Sequence, residues 1–196
     1  MSPEECLSFL KKIEKLKSNT RHSWTADGTR ETVAAHTFGL TALCLLLEPE
    51  FPQLDMGKVL RMCVIHDFGE AVTGDIPSFE KSQTDEKTEQ QALAALTATL
   101  PSPQKEMLSA LYAEMDAMET QEARLYKALD KMEAVVQHNS APLDSWIPLE
   151  YELNLTYGIE NAAEFPFLKA LRAQVLRETR RKLGLEEENE PASGEG

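Results

Sequence analysis

Apolar side chains recur at helical spacing along most of the chain. In residues 4–17, for example, Leu7, Leu10 and Ile13 fall on one face. Similar patterns predict further helices over residues 32–47, 55–71, 84–100, 103–118, 120–138, 149–157 and 167–183. Strand-like alternation is only short and no internal repeat is visible, so the pattern predicts an all-α single domain.

Short polar signals separate these helices. Pro49 disfavours helix at the residue before it and ends the second segment, while Asp55 and Thr120 are suited to cap the helices that follow them. Ser102 is a further cap, with Pro103 in the first helical turn. Residues 18–30 are predicted to form a loop, 73–77 a turn and 139–148 a connector.

Length and composition indicate an ordinary globular protein. The 196 residues allow one domain with a full core, expected over residues 1–185. Residues 186–196 are acidic and contain Pro, Ser and Gly, which predicts a disordered tail. Cys6, Cys44 and Cys63 lie in apolar helical patterns and are expected to be reduced core residues.

The charge of the chain limits its partners. A net charge of −13 argues against a nucleic-acid polymer, because binding one requires a basic face. The sequence has neither an apolar run of about 18 residues nor a basic N-terminal signal. We therefore expect a cytoplasmic protein that binds a small molecule and no membrane.

The pair His66-Asp67 lies near the end of the apolar segment 61–71, and Glu70 adds another carboxylate there. Burying such charges is costly unless an opposite charge, most simply a metal ion, is present. His36 and Asp130 are further ligand-type residues among the apolar positions of other predicted helices. Each residue alone is more simply a core or surface side chain, but the joint pattern on three helices indicates a metal site. His22 and His138, in a loop and near a helix end, are not interpreted as ligands.

The order His36, His66-Asp67, Asp130 resembles that of the HD-domain metal-dependent phosphohydrolase superfamily. The strings His66-Asp-Phe-Gly-Glu70, Thr73-Gly-Asp-Ile-Pro77 and Ala128-Leu-Asp130 resemble the branch that contains the HD-domain 5′-deoxynucleotidases. The resemblance implies an all-helical fold, often dimeric, that hydrolyses nucleoside 5′-monophosphates. It also implies one divalent ion held by His36, His66, Asp67 and Asp130. Two imidazoles and two carboxylates suit Mn²⁺, Co²⁺, Fe²⁺, Ni²⁺ or Zn²⁺.

Roles for residues around the ion also follow from the resemblance. Glu70 and Asp75 are implied as proton donor and as base or water-orienting group, in an order that the sequence leaves open. Arg21 stands where the related enzymes carry a phosphate-binding arginine, and such a fork suits a dianionic phosphate. Arg30 and Lys81 are weaker candidates to bind the same phosphate.

The residue after Arg21 departs from the related deoxynucleotidases, which have a tryptophan there that packs on the sugar and disfavours a 2′-hydroxyl. This chain has His22 at that position and Trp24 two residues later. We interpret Arg21, His22 and Trp24 as the substrate-recognition segment. The choice between ribose and 2′-deoxyribose stays open.

Other functions are less well supported. No histidine lies between Asp67 and Asp130, which argues against a two-metal cyclic-nucleotide phosphodiesterase and against a diiron oxygenase. Hydrolysis of a guanosine polyphosphate alarmone is an alternative in the same class, although the turn at 73–77 favours the nucleotidase branch. A non-catalytic nucleotide- or metal-binding regulatory module, or a purely structural helical module, is the alternative of a different class. A degenerate site would favour the regulatory module, but no implied site residue is missing here.

Overall fold

Helices make up most of the computed structural model, which describes residues 1–77 and 79–185. They are α1 (Pro3–Ile13), α2 (Val33–Leu47), α3 (Met56–Ile65), α4 (Glu70–Thr73), α5 (Gln83–Thr97), α6 (Gln104–Ala117), α7 (Gln121–Ser140), α8 (Pro148–Thr156), α9 (Ile159–Ala163) and α10 (Pro166–Lys182). Short 3-10 turns lie at Glu14–Lys17, Glu48–Glu50 and Leu143–Ser145. Strands β1 (Thr20–Trp24) and β2 (Arg30–Thr32) form one antiparallel pair. The predicted all-α class is confirmed.

Side-chain caps fix where several helices begin. The Asp55 carboxylate accepts a hydrogen bond of 2.9 Å from the Lys58 backbone N–H at the start of α3. The Thr120 hydroxyl accepts one of 3.2 Å from Ala123 at the start of α7. Each bond satisfies a backbone donor that has no partner inside the helix. Both predicted caps are confirmed.

Helix α7 lies at the centre of the core. It packs against α2, α3, α9 and α10, and its buried apolar face supplies much of the core. Burying one Leu or Met side chain contributes about 1.5–3 kcal/mol, so this face is a main source of stability. The apolar members of this face are Ala123, Leu125, Tyr126, Ala128, Leu129, Met132 and Val135.

The segment predicted as a loop contains the β-hairpin, so that prediction was wrong for residues 20–24 and 30. Thr20 pairs with Thr32 and Trp24 with Arg30, with an irregular register between them. The Gln137 side chain of α7 donates a 2.7 Å hydrogen bond to the Trp24 carbonyl, which fastens the hairpin to the core. Backbone hydrogen bonds stabilise this hairpin, and they leave no apolar periodicity in the sequence.

The helix predicted over 55–71 is divided in two. Helix α3 ends at Ile65, and α4 begins at Glu70 after a tight turn. The Ile65 carbonyl accepts hydrogen bonds from the Phe68 N–H (3.0 Å) and the Tyr112 hydroxyl (2.7 Å). These bonds occupy the carbonyl that a continuing helix would use. His66 and Glu70 therefore do not share the single helical face that one continuous helix over 55–71 would give them.

Smaller differences concern other segments. Helix α6 begins at Gln104, so Pro103 precedes the helix and Ser102 does not cap it. The short helix α9 was not predicted. Cys44 and Cys63 are buried free thiols as expected, whereas Cys6 is only half-buried.

Within the described part of the chain, no helix is both long and apolar enough to cross a membrane. The predicted cytoplasmic location and the 1–185 domain boundary stay predictions. The acidic tail expected at 186–196 lies outside the described residues.

Candidate metal centre and cavity

Four ligand-type side chains meet where α2, α3 and α7 pack together. They are His36 on α2, His66 and Asp67 after α3, and Asp130 on α7. The two histidine Nε2 atoms lie 3.2 Å apart. Asp130 Oδ1 lies 3.1 Å from His36 Nε2, and Asp67 Oδ2 lies 2.9 Å from His66 Nε2. The structure thus brings together all four residues that we predicted as ligands.

The outer nitrogens of both imidazoles are held by hydrogen bonds. His66 Nδ1 lies 2.8 Å from the Cys63 carbonyl, which can only accept, so this nitrogen carries the proton. His36 Nδ1 donates to the Glu133 carboxylate. In the neutral rings both Nε2 atoms then present lone pairs to the same point. A separation of 3.2 Å suits two ligands of one ion, since metal–nitrogen bonds are about 2.0–2.1 Å.

Charge at the centre also fits a cation. Burial opposes ionisation of Asp67, but the adjacent His66 outweighs it and lowers the pKa of Asp67 to about 2. Burial likewise opposes the charge on Asp130, yet Lys127 at 2.9 Å and the two histidines hold its pKa well below the ordinary range. Both carboxylates are therefore ionised at neutral pH. A donor set of two imidazole nitrogens and two ionised carboxylates fits a divalent ion.

A proton can compete with that ion at His36. Burial and the Arg21 charge favour the neutral ring, but hydrogen bonds to the Asp130 and Glu133 carboxylates raise the pKa of His36 to about 9. Metal binding at this nitrogen then displaces a proton, as is usual where ligands must be deprotonated.

A second group of acids lies behind His36. Glu133 reaches the ring across a gap left by Gly39 of α2, where an added Cβ would overlap the Glu133 carboxyl group. Glu31 also lies close to His36 and Glu133. The Arg21 guanidinium, 3.1 Å from Glu31, supplies a counter-charge there. We interpret Glu31 and Glu133 as groups that orient Arg21 and His36.

Glu70 is poised as a neutral acid. It is 6% exposed, and its Oε2 atom has no hydrogen-bond partner among residues 1–77 and 79–185. Burial, followed by the charges of Asp67, Asp75 and Glu89, raises the pKa of Glu70 to about 10. Burial also raises the pKa of Asp75, while Arg21 opposes that shift. A buried oxygen without a hydrogen-bond partner, such as Glu70 Oε2, is expected where a ligand completes the site.

One cavity of about 180 Å³ adjoins the ion-binding residues. The residues predicted at the site that line it are Arg21, His22, His36, Asp67, Glu70, Asp75, Lys81 and Asp130. Lys81 is also paired with Glu89. Trp24 does not line this cavity in the described structure, since its ring packs against the His22 edge and under the Arg30 guanidinium. The irregular register of β1 allows Arg21, His22 and Ser23 to face the cavity in succession.

Sequence reasoning did not identify several groups at the site. Lys127 and Glu133 lie three residues on either side of Asp130, so helical spacing could have indicated them. Glu150 and Asn154 share a face of α8 by the same spacing, but nothing in the sequence connects α8 with β1. The missed residues are Glu31, Lys127, Glu133, His138, Glu150 and Asn154.

A family model described as an HD domain matches residues 13–170, which is most of the chain. The chain belongs to the HD-domain family. Its helical architecture and the His36, His66-Asp67, Asp130 order agree with that assignment.

Similar proteins add an activity. The 5′-deoxynucleotidase HDDC2 of Dictyostelium discoideum is 29% identical over 184 residues, which cover 86% of this chain and 95% of that protein. The 5′-deoxynucleotidase hdd1 of Schizosaccharomyces pombe is 30% identical over 137 residues, 66% of this chain and 68% of that protein. The predicted metal-dependent phosphohydrolase of Magnetospirillum magnetotacticum superposes with a TM-score of 0.76 at 27% identity, covering 93% of this chain and 94% of that one. This HD-domain protein is therefore a phosphohydrolase enzyme, and its family implies a divalent metal.

Gly39→Ala should weaken metal binding without touching a ligand. The new methyl group displaces the Glu133 carboxylate from His36, and loss of such an orienting partner typically costs about 10–100-fold in metal affinity. Titration calorimetry with Mn²⁺ or Co²⁺ measures this loss. Gly57→Ala in α3 is the matched control, because the nearest atom to its new Cβ is Asp55 Oδ1 at 3.3 Å. Equal affinities for the two variants would contradict the role of Glu133.

Glu70→Gln should stabilise the metal-free protein in a pH-dependent way. The folded carboxyl group has a pKa of about 10, whereas an unfolded glutamate has a pKa of about 4.3. Above pH 4.3 the unfolded chain releases this proton and the folded chain retains it, so the wild type loses stability as pH rises. Calorimetry in EDTA should show a melting temperature about 2–6 °C higher for the variant at pH 8 and little difference at pH 4. The same gain at both pH values would contradict the raised pKa.

Proposed function

We propose that the protein hydrolyses nucleoside 5′-monophosphates and releases inorganic phosphate. The supporting observation is the pair of Nε2 atoms of His36 and His66, 3.2 Å apart between two ionised carboxylates and beside a cavity that Arg21 lines. His36, His66, Asp67 and Asp130 would hold one divalent ion, of Mn, Co, Fe, Ni or Zn. The relatives named 5′-deoxynucleotidase support the nucleotide as substrate.

The phosphate binds at the Arg21 end of the cavity. Burial opposes the guanidinium charge, but Glu31 and the carboxylates of Asp67 and Glu133 raise the pKa of Arg21, so the charge is permanent. Its fork can donate two hydrogen bonds to a phosphate oxygen pair. Lys127 and Lys81 add positive charge to the same cavity. These cations matter because the chain as a whole carries −13 and would otherwise repel a dianion.

The high pKa of Glu70 supports its role as the proton donor and leaves Asp75 as the acceptor. Glu70, with a pKa of about 10, holds a proton at neutral pH and can donate it to the sugar oxygen as the phosphorus–oxygen bond breaks. Asp75, which lines the same cavity, is then the acceptor that orients the attacking water and takes its proton. When bound, the divalent ion supplies charge neutralisation at the phosphoryl group and a lowered pKa for nearby water. Water adds its oxygen to phosphorus, and the nucleoside leaves with the proton from Glu70.

Phosphate release should depend on a divalent metal and on Asp67. We expect turnover of at least one nucleoside 5′-monophosphate with Mn²⁺, Co²⁺ or Fe²⁺ and none in EDTA. Asp67→Ala should reduce turnover about 100-fold or more, because it removes a ligand and a charge from the centre. A colorimetric phosphate assay measures this. Asp116→Ala, an exposed change on α6, should leave the rate unchanged. Absence of turnover with every metal and monophosphate tested would refute the nucleotidase function.

An exposed apolar face on α2 supports a homodimer. Phe38, Leu45 and Leu46 are 76%, 60% and 75% exposed on a helix that is apolar on nearly all sides. A surface helix normally shows charged residues on its outer face, so this one is suited to pair with a second copy of the chain. We propose that α2 forms the dimer contact.

Replacing Phe38 and Leu46 together by Ser should convert the dimer to a monomer, because the change removes two large apolar side chains from the contact. Light scattering after size exclusion measures the mass. The pair Leu7→Ser and Leu10→Ser on α1, which are also exposed, should leave the dimer intact. A wild-type monomer at 100 µM, or dissociation by the α1 pair alone, would contradict an α2 contact.

A further inference from the structure

Apolar side chains form part of the lining of the cavity beside the candidate metal centre. They come from the loop after α4, from α7 and from the end of α8: Ile76, Pro77, Phe79, Ala134, Leu153 and Tyr157. None of them has a role in the proposed hydrolysis. A metal ion and a phosphate bind through charge and hydrogen bonds, so an apolar lining indicates that a less polar part of the ligand also lies here.

Tyr157 differs from the other large aromatic residues near this cavity. The Phe79 ring packs on the His22 ring with 5.8 Å between centroids, and Trp24 does not line the cavity in the described structure. The Tyr157 ring has the ammonium group of Lys131 at 5.3 Å from its centre, which occupies one face of the ring. Within the described part of the chain, no aromatic group stacks on the opposite face.

The backbone at Tyr157 is held on both sides. Its carbonyl accepts a 3.0 Å bond from Nε of Arg172, a buried side chain of α10, and its N–H donates a 2.7 Å bond to the Leu153 carbonyl. The next residue, Gly158, has a φ of +75°, and a Cβ added there would lie 2.9 Å from Lys131 Cβ. Glycine adopts this conformation without strain and leaves room for Lys131. The ring is therefore preorganised, which lowers the entropic cost when a ligand binds to it.

Helix α7 relates this ring to the candidate metal centre. Lys127 and Lys131 are four residues apart on α7, about one turn or roughly 5.4 Å along its axis. Lys127 Nζ lies 2.9 Å from Asp130 Oδ2 and lines the cavity, whereas Lys131 lies over the Tyr157 ring. The ring is thus about one helical turn away from the end of the cavity where a phosphate would bind. In a nucleotide the sugar separates the base from the phosphate, so the base is the part that reaches Tyr157.

The size of the cavity agrees with this placement. Its volume of about 180 Å³ is smaller than the roughly 300–1,000 Å³ that encloses a drug-sized ligand, so it does not enclose a whole nucleotide. Tyr157 is half-buried, so its side chain lies at the boundary between the cavity and solvent. A base stacked there keeps its polar edge in water and needs no hydrogen-bond partner from the protein.

We propose that Tyr157 stacks on the nucleobase of the substrate, with the ring face opposite Lys131. This contact rests on the proposed nucleotidase function. Every base has a π-face, so such a contact binds purines and pyrimidines alike and distinguishes a nucleotide from a sugar phosphate that has no base. Loss of one base–aromatic stack corresponds to about a tenfold change in affinity.

Tyr157→Ala should raise KM for 2′-deoxyadenosine 5′-monophosphate (dAMP) about tenfold with little change in kcat, because the ring contacts the base and not the reacting phosphoryl group. The abasic substrate 2-deoxyribose 5-phosphate should be hydrolysed with the same kcat/KM by this variant and by the wild type. Tyr157→Phe keeps the ring and should keep the wild-type KM for dAMP. Tyr151→Ala, which removes a 37% exposed ring of α8 that does not line the cavity in the described structure, is the matched control and should change neither substrate.

Binding separates this proposal from the nucleotidase function. Calorimetry with the metal-loaded Asp75→Asn variant measures affinity without turnover, and dAMP should bind about tenfold more tightly than 2-deoxyribose 5-phosphate. Wild-type protein that hydrolyses neither substrate refutes the function, while the two dissociation constants still test the stacking contact. The proposal is overturned if dAMP does not bind more tightly than the sugar phosphate. It is also overturned if Tyr157→Ala leaves KM for dAMP unchanged or weakens both substrates equally. The binding comparison keeps Tyr157, so a Tyr157→Ala protein that fails to fold does not remove the test.

Discussion

The structure depends on two imidazole nitrogens that face each other inside the core. His36 Nε2 and His66 Nε2 are 3.2 Å apart, and each ring has its outer nitrogen held by a hydrogen bond. Ionised Asp67 and Asp130 add negative charge at the same point, and a proton on His36 offsets part of it when no metal is bound. A divalent cation would displace that proton and balance both carboxylates. Packing between α2, α3 and α7 must therefore be rigid enough to hold the ligands together before the ion binds.

Helix α7 connects this constraint to the rest of the fold. Its apolar face fills the core, while Asp130 lies at the candidate metal centre, Glu133 bonds to His36 and Lys127 pairs with Asp130. These three polar residues are spaced at i and i+3, so they share the edge of one face. Gly39 gives α7 room to approach α2 at this level. Helix α7 therefore contributes both to core stability and to the geometry of the candidate ligands, so a small shift in its packing would move Asp130 and Glu133.

The fold class and the four residues that meet at the candidate metal centre could be predicted from the sequence, because both predictions rest on apolar periodicity and residue type. It was insufficient where backbone hydrogen bonds decide the structure. The hairpin at β1 is polar, so periodicity gave no signal for it, and the Tyr112 bond to Ile65 ended α3 earlier than the apolar pattern indicated. Glu150 reaches His22 across 128 residues of sequence, a contact that no local pattern contains.

Two irregularities that the apolar pattern did not predict, the end of α3 at Ile65 and the uneven register of β1, also shape the candidate site. Ending α3 at Ile65 moves Glu70 off the face of His66 and into a buried position where its carboxyl group stays protonated. A regular helix would have placed that carboxylate beside the ligands, where the ion would keep it ionised and unable to donate a proton. The broken register of β1 likewise aims Arg21 and His22 into one cavity, which alternating strand geometry would forbid. Departures from regular secondary structure therefore separate Glu70 from the four candidate ligands and bring Arg21 and His22 to the same cavity.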